Sequence, residues 1–184
     1  LKSFPKLPRG VAGPEGVVRH NDKVAAVVLR KLDGFSLANL LDLRWRRDHR
    51  YSEAQTTQTF AEFGATLREL HLRKIVIGDM KPDNVIVTKE GPVIIDSEGF
   101  QFGEFRGRGF TAEYVDPLIS WFDKQGVLRA ASKFSEDTDW FAFGAMFFQA
   151  LTFVSPYGGT LWASKCKEPV RPDQRPFKGY SVFR

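Results

Sequence analysis

The order of apolar and polar residues predicts strands and helices separated by glycine- and proline-rich segments. Residues 1–22 show little periodicity and predict a loop with one short strand, whereas Lys23–Leu32 is apolar and predicts a buried strand. Ser36 is a suitable N-cap for a helix that runs to Arg47. A second helix is predicted over Thr57–Leu72, because large apolar residues recur there with helical spacing, at Phe60, Phe63, Leu67 and Leu70.

A hairpin and a long apolar helix are predicted in the second half of the chain. Asn84–Thr88 and Pro92–Ile95 are short β-rich runs, joined by a turn in which Gly91 suits a positive φ. Pro117–Phe122 predicts a short helix. Asp139–Phe153 predicts a helix that is too short for a membrane span and therefore packs in a core.

Composition narrows the class of protein. The chain has 184 residues, of which 42% are hydrophobic and 27% charged, as is ordinary for one soluble globular domain or a large piece of a bigger one. The single cysteine, Cys166, excludes an intrachain disulfide and a multi-cysteine zinc site, in keeping with a cytoplasmic location. Because the chain starts at Leu1 without a signal-peptide pattern, we expect a fragment of a longer protein.

The net charge of +5 raises the possibility of an anionic partner. The densest basic cluster surrounds Trp45 and is interrupted by Asp42 and Asp48; it consists of Arg44, Arg46, Arg47 and Arg50. The interruption favours a solvated helix end over a nucleic-acid surface. We interpret the three histidines as surface or packing residues, namely His20, His49 and His71.

A polar segment between two apolar runs, IGDMKPDNVIV, carries the candidate chemistry. Pro82 excludes a helix interior, so the segment should be a loop held between strands. This loop presents Asp79, Lys81 and Asn84, and a second acid, Asp96, follows the next apolar run. Carboxylate and amide oxygens at neighbouring strand ends suit Mg²⁺, and an acid beside a lysine suits a hydroxyl group that attacks a phosphoryl group.

This order of residues resembles the protein kinase signature H-R-D-x-K-P-x-N followed by D-F-G. The resemblance is to the C-terminal catalytic lobe of kinases, and it implies ATP and Mg²⁺ as cofactors. It implies that Asp79 is the catalytic base and that Lys81 neutralises the transferring phosphate. Asn84 would hold one Mg²⁺ ion, and Asp96 would bind the metal that bridges the phosphates.

Other segments match kinase landmarks in the same order. Leu29 resembles the gatekeeper at the end of the last N-lobe strand, and Ile86 resembles the apolar residue beneath the adenine ring. The hinge that lends backbone groups to adenine would consist of Arg30, Lys31 and Leu32.

The resemblance covers residues 15–160. Thr111 and Tyr114 match the T-x-x-Y of the substrate-docking loop, and Asp139 opens the D-x-W-x-x-G helix, where it would tie down the backbone of the catalytic loop. The segment D-S-E-G-F-Q is similar to that of bacterial and phage kinases, which carry D-x-D-S-F-Q in place of D-F-G.

Two departures from the kinase pattern concern the catalytic and activation loops. Ile77 and Gly78 replace His and Arg, and residues 99–110 contain no Ser, Thr or Tyr, so we predict that phosphorylation of this loop does not control the protein. The pair Ser97–Glu98 replaces Phe-Gly, which leaves Glu98 as an additional metal ligand or as a solvent-facing or arginine-paired acid.

The predicted fold is α+β: a protein kinase-like C-lobe, mainly α-helical, with a small β-hairpin at the catalytic cleft and most of the N-lobe absent. Gly10–Gly16 is not G-x-G-x-x-G and predicts turns, and Asp116–Leu118 replaces A-P-E without its glutamate. The predicted divisions are an N-lobe remnant at 1–32, the C-lobe at 33–160 and an irregular tail at 161–184.

The function implied by the resemblance is ATP-dependent phosphoryl transfer to Ser or Thr hydroxyls of protein substrates. The fragment alone is predicted to be inactive, because nothing in it would cover the phosphates. Its predicted partner is the missing N-lobe or another domain of the same protein. One alternative is a pseudokinase or scaffold that binds a partner or nucleotide through the retained cleft. Another is a small-molecule phosphotransferase, favoured by Gly78 before the acid and disfavoured by the K-P-x-N continuation.

Overall fold

Three small β-sheets and three α-helices form the part of the chain that this computed structural model describes, residues 4–107, 109–159 and 170–180. The strands are β1 Pro14–His20, β2 Lys23–Leu29, β3 Gly34–Ser36, β4 Val85–Thr88, β5 Gly91–Ile94, β6 Ser120–Phe122 and β7 Leu128–Ala130. The helices are α1 Leu43–Asp48, α2 Glu53–Leu72 and α3 Glu136–Thr152. The content is α+β, with more sheet than the single hairpin expected. The interpretations of Cys166 and of residues 161–169 and 181–184 lie outside the described residues.

Helix α2 confirms the predicted amphipathic pattern. Its apolar positions are fully buried, with exposures of 0 to 1% at Phe60, Phe63, Leu67 and Leu70. Each such side chain stabilises the fold by about 1.5–3 kcal/mol. The helix begins four residues before the predicted Thr57, because Ser52 and Gln55 form a capping box that satisfies two N-terminal N–H groups.

Helix α3 lies against α2 through an aromatic layer. The ring of Phe60 is 5.0 Å from that of Phe147 and 5.7 Å from that of Phe143. One face of α3 is buried, including Ala142, Met146 and Ala150, while Trp140 on another face is 38% exposed. The predicted core helix is therefore present, but it is buried along one face only.

The predicted hairpin forms between β4 and β5. Thr88 pairs with Gly91 at its turn, and Gly91 has a φ of +115°, a backbone conformation that glycine adopts without strain. Val85 and Val87 point into the core, whereas Ile86 alternates to the other face. Strand β3 extends this hairpin into a three-stranded sheet, whose central strand β4 begins directly after Asn84.

Strands β1 and β2 form a separate hairpin, and the prediction of a buried strand over Lys23–Leu32 is wrong. The strand forms over Lys23–Leu29, but all of its residues are exposed. The reason is that β2 pairs only with β1, and no third strand joins the pair in the described part of the chain. Large apolar side chains are left accessible at Val18, Val24, Val27, Val28 and Leu29.

Two local predictions fail because nearby polar groups interrupt them. The helix expected over 36–47 is divided: Ser36 caps a 3₁₀ turn at Leu37–Leu41, and Asp42 then caps α1 by accepting from the N–H groups of Arg44 and Trp45. A side chain that satisfies the next helix start competes with continuation of the first.

The short helix expected over Pro117–Phe122 is instead strand β6, which pairs with β7. The turn between them is closed by Asp123, whose carboxylate accepts from the N–H groups of Gln125 and Val127. That turn chemistry, 123–127, lies outside the segment from which the helix was predicted.

Two arginines are buried structural residues. The basic cluster around Trp45 was interpreted as solvated, but Arg46 is only 8% exposed and donates to the carbonyl of Ala150 at 2.7 Å, near the end of α3. Arg175, also 8% exposed, donates to the carbonyls of a turn at Tyr157, Gly158 and Gly159, at 2.8–2.9 Å. A guanidinium satisfies helix-end and turn carbonyls that lack other donors.

Candidate active site

Asp79 is the centre of the candidate site. Its Oδ1 accepts a 2.7 Å hydrogen bond from the Thr111 hydroxyl, and its Oδ2 lies 3.5 Å from the Lys81 ammonium group. The side chains of Asp79 and Lys81 are 27% and 31% exposed, so both are fixed by neighbours yet accessible to a ligand. One carboxylate is therefore held between a hydroxyl donor and a positive charge.

Asn84 is oriented by the backbone of the same loop. Pro82–Asn84 forms a 3₁₀ turn, and the Asn84 side-chain NH₂ donates to the carbonyl of Asp79 at 3.1 Å. Because the amide nitrogen is used internally, the amide oxygen is left as the group that can serve a ligand. The turn thus brings Asn84 to the backbone of Asp79, while Lys81 lies near its carboxylate.

Asp139 holds the backbone that precedes Asp79. Its two carboxylate oxygens accept from the N–H groups of Ile77 at 2.8 Å and Gly78 at 2.9 Å, and Asp139 is fully buried. Ile75–Ile77 is not the flanking strand that was expected, since only an isolated bridge joins Val76 to Gln101. A carboxylate at the start of α3 holds this side of the loop instead.

His71 completes this buried cluster as a packing residue, which was one of the two roles expected for it. It is 4% exposed, and its Nε2 lies 2.9 Å from Asp139 Oδ2. A carboxylate can only accept, so Nε2 carries the proton. The sequence held a signal for this, because His71 follows Leu67 by one helical turn on the buried face of α2, and a buried imidazole needs a polar partner.

Gly78, in place of the arginine of the kinase signature, has a steric reason. Its φ is +78°, and a Cβ added there would lie 2.7 Å from the Phe134 ring. The missing arginine is evident from the sequence, but the sequence did not predict that the Phe134 ring lies against Gly78.

Asn84 and Asp96 are suited in chemistry to a magnesium ion. Asp96 follows β5 in a left-handed conformation, and its carboxylate makes no hydrogen bond to the described residues. One carboxylate plus one amide oxygen is a donor set that Mg²⁺ accepts when phosphate oxygens and water complete its six positions. The described residues contain no group of three or more His, Cys, Asp or Glu side chains arranged as metal ligands.

Glu98 is the third expected metal ligand. It lines a cavity of about 630 Å³ together with Val27 of β2 and the aromatic residues Phe100, Phe102 and Phe105. Neither Asn84 nor Asp96 lines this cavity.

Only three of the five expected nucleotide-binding residues line the same cavity. Arg30, Lys31 and Leu32 line a cavity of about 710 Å³ beside β5 and α2. Leu29 and Ile86 do not line it, and Leu29 is 51% exposed on the β1–β2 hairpin.

Thr111 and Tyr114 form one tight turn beside Asp79. The N–H of Tyr114 donates to the carbonyl of Thr111 at 3.0 Å, which fixes the hydroxyl that contacts Asp79. Burial, with smaller contributions from the negative charges of Glu113 and Asp83, raises the pKa of Tyr114 to about 12. Tyr114 therefore stays neutral across the physiological range, while its hydroxyl faces Gln149 of α3 at 3.5 Å.

Similar proteins have been characterised as Ser/Thr protein kinases, although no family model matches the chain. Protein kinase C delta type of Rattus norvegicus is 33% identical over 116 residues, which cover 60% of this chain and 16% of that protein. A RAC family serine/threonine-protein kinase homolog of Dictyostelium discoideum is 26% identical over 122 residues, covering 61% and 25%. Serine/threonine-protein kinase PKH3 of Eremothecium gossypii is 27% identical over 167 residues, covering 82% and 21%. The chain spans a quarter or less of the length of these relatives.

The fold itself is that of a protein kinase. A chain of the yeast RNA Pol II CTD kinase CTDK-1 complex superposes with a TM-score of 0.63, over 88% of this chain and 50% of that one, at 18% identity. At that identity the likeness concerns the fold alone. Among the residues described, no helix combines the length and the apolar character needed to cross a membrane.

Proposed function

We propose that this protein kinase-like chain provides the catalytic loop of an ATP-dependent protein Ser/Thr kinase, with Asp79 as its base. The observation that carries the proposal is the Asp79 carboxylate held between the Lys81 ammonium and the Thr111 hydroxyl. A fixed, accessible carboxylate can accept the proton of a substrate hydroxyl, and a nearby positive charge offsets negative charge that develops on the transferring group.

Each residue of the site has a separate role in the proposed phosphoryl transfer. The substrate hydroxyl oxygen forms a bond to the γ-phosphorus as the bond to the bridging oxygen of ADP breaks, and the hydroxyl proton passes to Asp79. Thr111 holds one oxygen of Asp79, so the other faces Lys81 and the substrate. The hydrogen bonds from Ile77 and Gly78 to Asp139 keep the loop in place during this step.

The cofactors proposed are ATP and Mg²⁺, with Asn84 and Asp96 as the magnesium ligands. When bound, Mg²⁺ supplies positive charge at the phosphates. Glu98, two residues after Asp96, stays a proposed additional ligand, with a solvent-facing or arginine-paired acid as the alternative. The finer resemblance to bacterial and phage kinases stays a proposal, resting on the D-S-E-G-F-Q segment.

The proposed substrate class is a protein hydroxyl rather than a small molecule. The K-P-x-N continuation after Asp79 supports this choice, as does the similarity to relatives that are named as protein kinases. We further propose that the exposed faces of the β1–β2 hairpin are covered by an N-lobe or other domain of the same protein. The 184 residues alone would then leave the phosphates uncovered and transfer nothing.

The test is Asp79→Asn in the full-length protein, with Asp83→Asn as the matched control. Asp83 is an exposed acid of the same loop and has no role in the proposed chemistry. We expect Asp79→Asn to lower the transfer rate by roughly 100-fold or more, as for loss of a general base, with Mg-ATP binding unchanged. Equal rates in the two variants would remove Asp79 from this role.

The second candidate is a nucleotide- or partner-binding scaffold, favoured by the exposed apolar side chains of β1 and β2. A full-length wild-type protein that binds Mg-ATP but transfers no phosphate to any protein or peptide substrate would establish this candidate and overturn the first.

A further inference from the structure

The loop that follows Asp96 is attached to the catalytic loop by backbone pairing. Val76 N–H donates to the carbonyl of Gln101 at 2.9 Å, and Gln101 N–H donates to the carbonyl of Val76 at 2.7 Å. Val76 lies three residues before Asp79, so this reciprocal pair fixes the loop close to the base. The pairing requires no charged or modified side chain.

The Gln101 side chain makes a second reciprocal pair. Its NH₂ donates to the carbonyl of Phe134 at 2.8 Å, and its amide oxygen accepts from the Phe134 N–H at 3.1 Å. Gln101 is 6% exposed. A primary amide has one donor face and one acceptor face, so it matches a single residue's backbone in a way that a carboxylate or an aliphatic side chain does not.

Phe134 connects this pair to Gly78, the residue before Asp79. A Cβ added to Gly78 would lie 2.7 Å from its ring, and one added to Gly107 would lie 3.2 Å from it, so the ring packs closely on both glycines. Phe134 also directly precedes Ser135, the N-cap of α3, and the first turns of that helix carry Asp139. Three segments therefore meet at one side chain: the catalytic loop, the loop after Asp96 and the start of α3.

We propose that Gln101 is a positioning residue that holds the loop after Asp96 in its working conformation without phosphorylation. This inference rests on the proposed phosphoryl transfer and adds its regulation. In a phosphorylation-controlled kinase, an arginine of the catalytic loop pairs with a phosphate on that loop. Here Gly78 stands at that position, and residues 99–107 carry no hydroxyl side chain. The Val76–Gln101 backbone pair, with the Phe134 ring packed on Gly78 and Gly107 and held by the Gln101 side chain, supplies a permanent connection between the same two loops.

The experiment compares Gln101→Ala and Gln101→Met with Gln125→Ala in the full-length protein. Gln125 lies in the exposed β6–β7 turn, so it controls for loss of a glutamine side chain. Gln101→Met keeps about the same side-chain volume but loses the donor and the acceptor, and it serves as the milder variant if the cavity left by Gln101→Ala prevents folding. Amide hydrogen exchange of residues 99–107 and of Val76 is measured first, since it requires no activity.

We expect exchange of these amides to be about 5- to 30-fold faster in Gln101→Ala and in Gln101→Met, and unchanged in Gln125→Ala. We expect kcat to fall by roughly 10- to 100-fold with the KM for ATP unchanged, because a displaced loop misorients the reacting groups. Phosphatase treatment should leave the wild-type rate unaltered. Unchanged exchange in both Gln101 variants, or loss of wild-type activity after phosphatase treatment, would overturn the inference. If wild-type protein shows no transfer at all, the proposed function fails, and the exchange result still decides whether Gln101 holds the loop.

Discussion

The substitution Asp139→Asn tests the buried cluster that holds the catalytic loop. The carboxylate accepts three hydrogen bonds, from the N–H groups of Ile77 and Gly78 and from His71 Nε2. The amide keeps one acceptor oxygen and replaces the other with a donor. His71 can respond by moving its proton to Nδ1, but a backbone N–H has no such freedom. In either orientation of the amide, therefore, at least one N–H group loses its acceptor and faces another donor.

The size of the effect follows from that count. A hydrogen bond to a charged group contributes about 1.5–3 kcal/mol, and a buried donor left without a partner costs about 1–3 kcal/mol. We expect Asp139→Asn to lower the free energy of unfolding by about 3 kcal/mol, a large part of the ~5–15 kcal/mol typical of a domain. With a urea dependence of about 1–3 kcal/mol per molar, the midpoint should fall by roughly 1–3 M.

The assay is urea unfolding followed by tryptophan fluorescence, with Asp137→Asn as the matched control. Trp140 reports on the cluster, since its ring lies 5.7 Å from that of His71. Asp137 is an exposed acid in the same first turn of α3, so its loss removes only the interaction with the helix dipole, about 0.3–1 kcal/mol. If the two variants lose the same free energy of unfolding, Asp139 is not the buried acceptor described here.

The remaining predictions concern glycine, arginine and tyrosine positions. Gly78→Ala should lower the free energy of unfolding by about 1–3 kcal/mol, because residue 78 has a positive φ and lies against the Phe134 ring. Gly144→Ala should raise the free energy of unfolding by about 0.5–1 kcal/mol, because Gly144 is an exposed helical residue with open space around it. Chemical denaturation compares the two variants, and equal effects would contradict the steric argument. Arg175→Met should lower the free energy of unfolding by about 2–4 kcal/mol, because several turn carbonyls lose their donor; a change below about 0.5 kcal/mol would refute this role. The pKa of Tyr114 is raised from 10.0 to about 12, so this tyrosine ionises first in the unfolded chain as the pH rises. The stability that neutral Tyr114 contributes should therefore be complete below pH 10 and be lost as the pH rises towards 12. When denaturation is repeated from pH 9 to 11, the loss of stability should be smaller in Tyr114→Phe.

The parts of the fold that the sequence predicted are those set by local periodicity. The face of α2 that carries Phe60 and Leu67 was predictable, because helical spacing alone identifies the buried side. Strand β2 was predicted as a strand but with the wrong burial, since burial depends on what packs against it. The division of the helix at Asp42 was missed, because a competing cap is a matter of side-chain geometry rather than of apolar pattern.

The candidate site shows the same limit. Asp79, Lys81 and Asn84 lie within six positions, so the sequence alone placed them on one loop. Asp139 was expected at that loop from the kinase resemblance, whereas Thr111 was expected in the substrate-docking loop and its contact with Asp79 was not foreseen. His71, Gln101 and Phe134 were missed, because their roles arise from contacts between segments 33 to 68 residues apart.

The packing of Phe134 on Gly78 also constrains how this protein can evolve. A side chain at position 78 needs both the space that the Phe134 ring fills and a backbone that leaves the positive-φ region. A single Gly78→Arg change would therefore meet a steric barrier before it could form a phosphate-binding contact. Descendants that acquire control by phosphorylation would need a smaller residue at 134 first or at the same time. Positions 78 and 134 should accordingly vary together among close homologues, with bulk at one accompanied by its loss at the other.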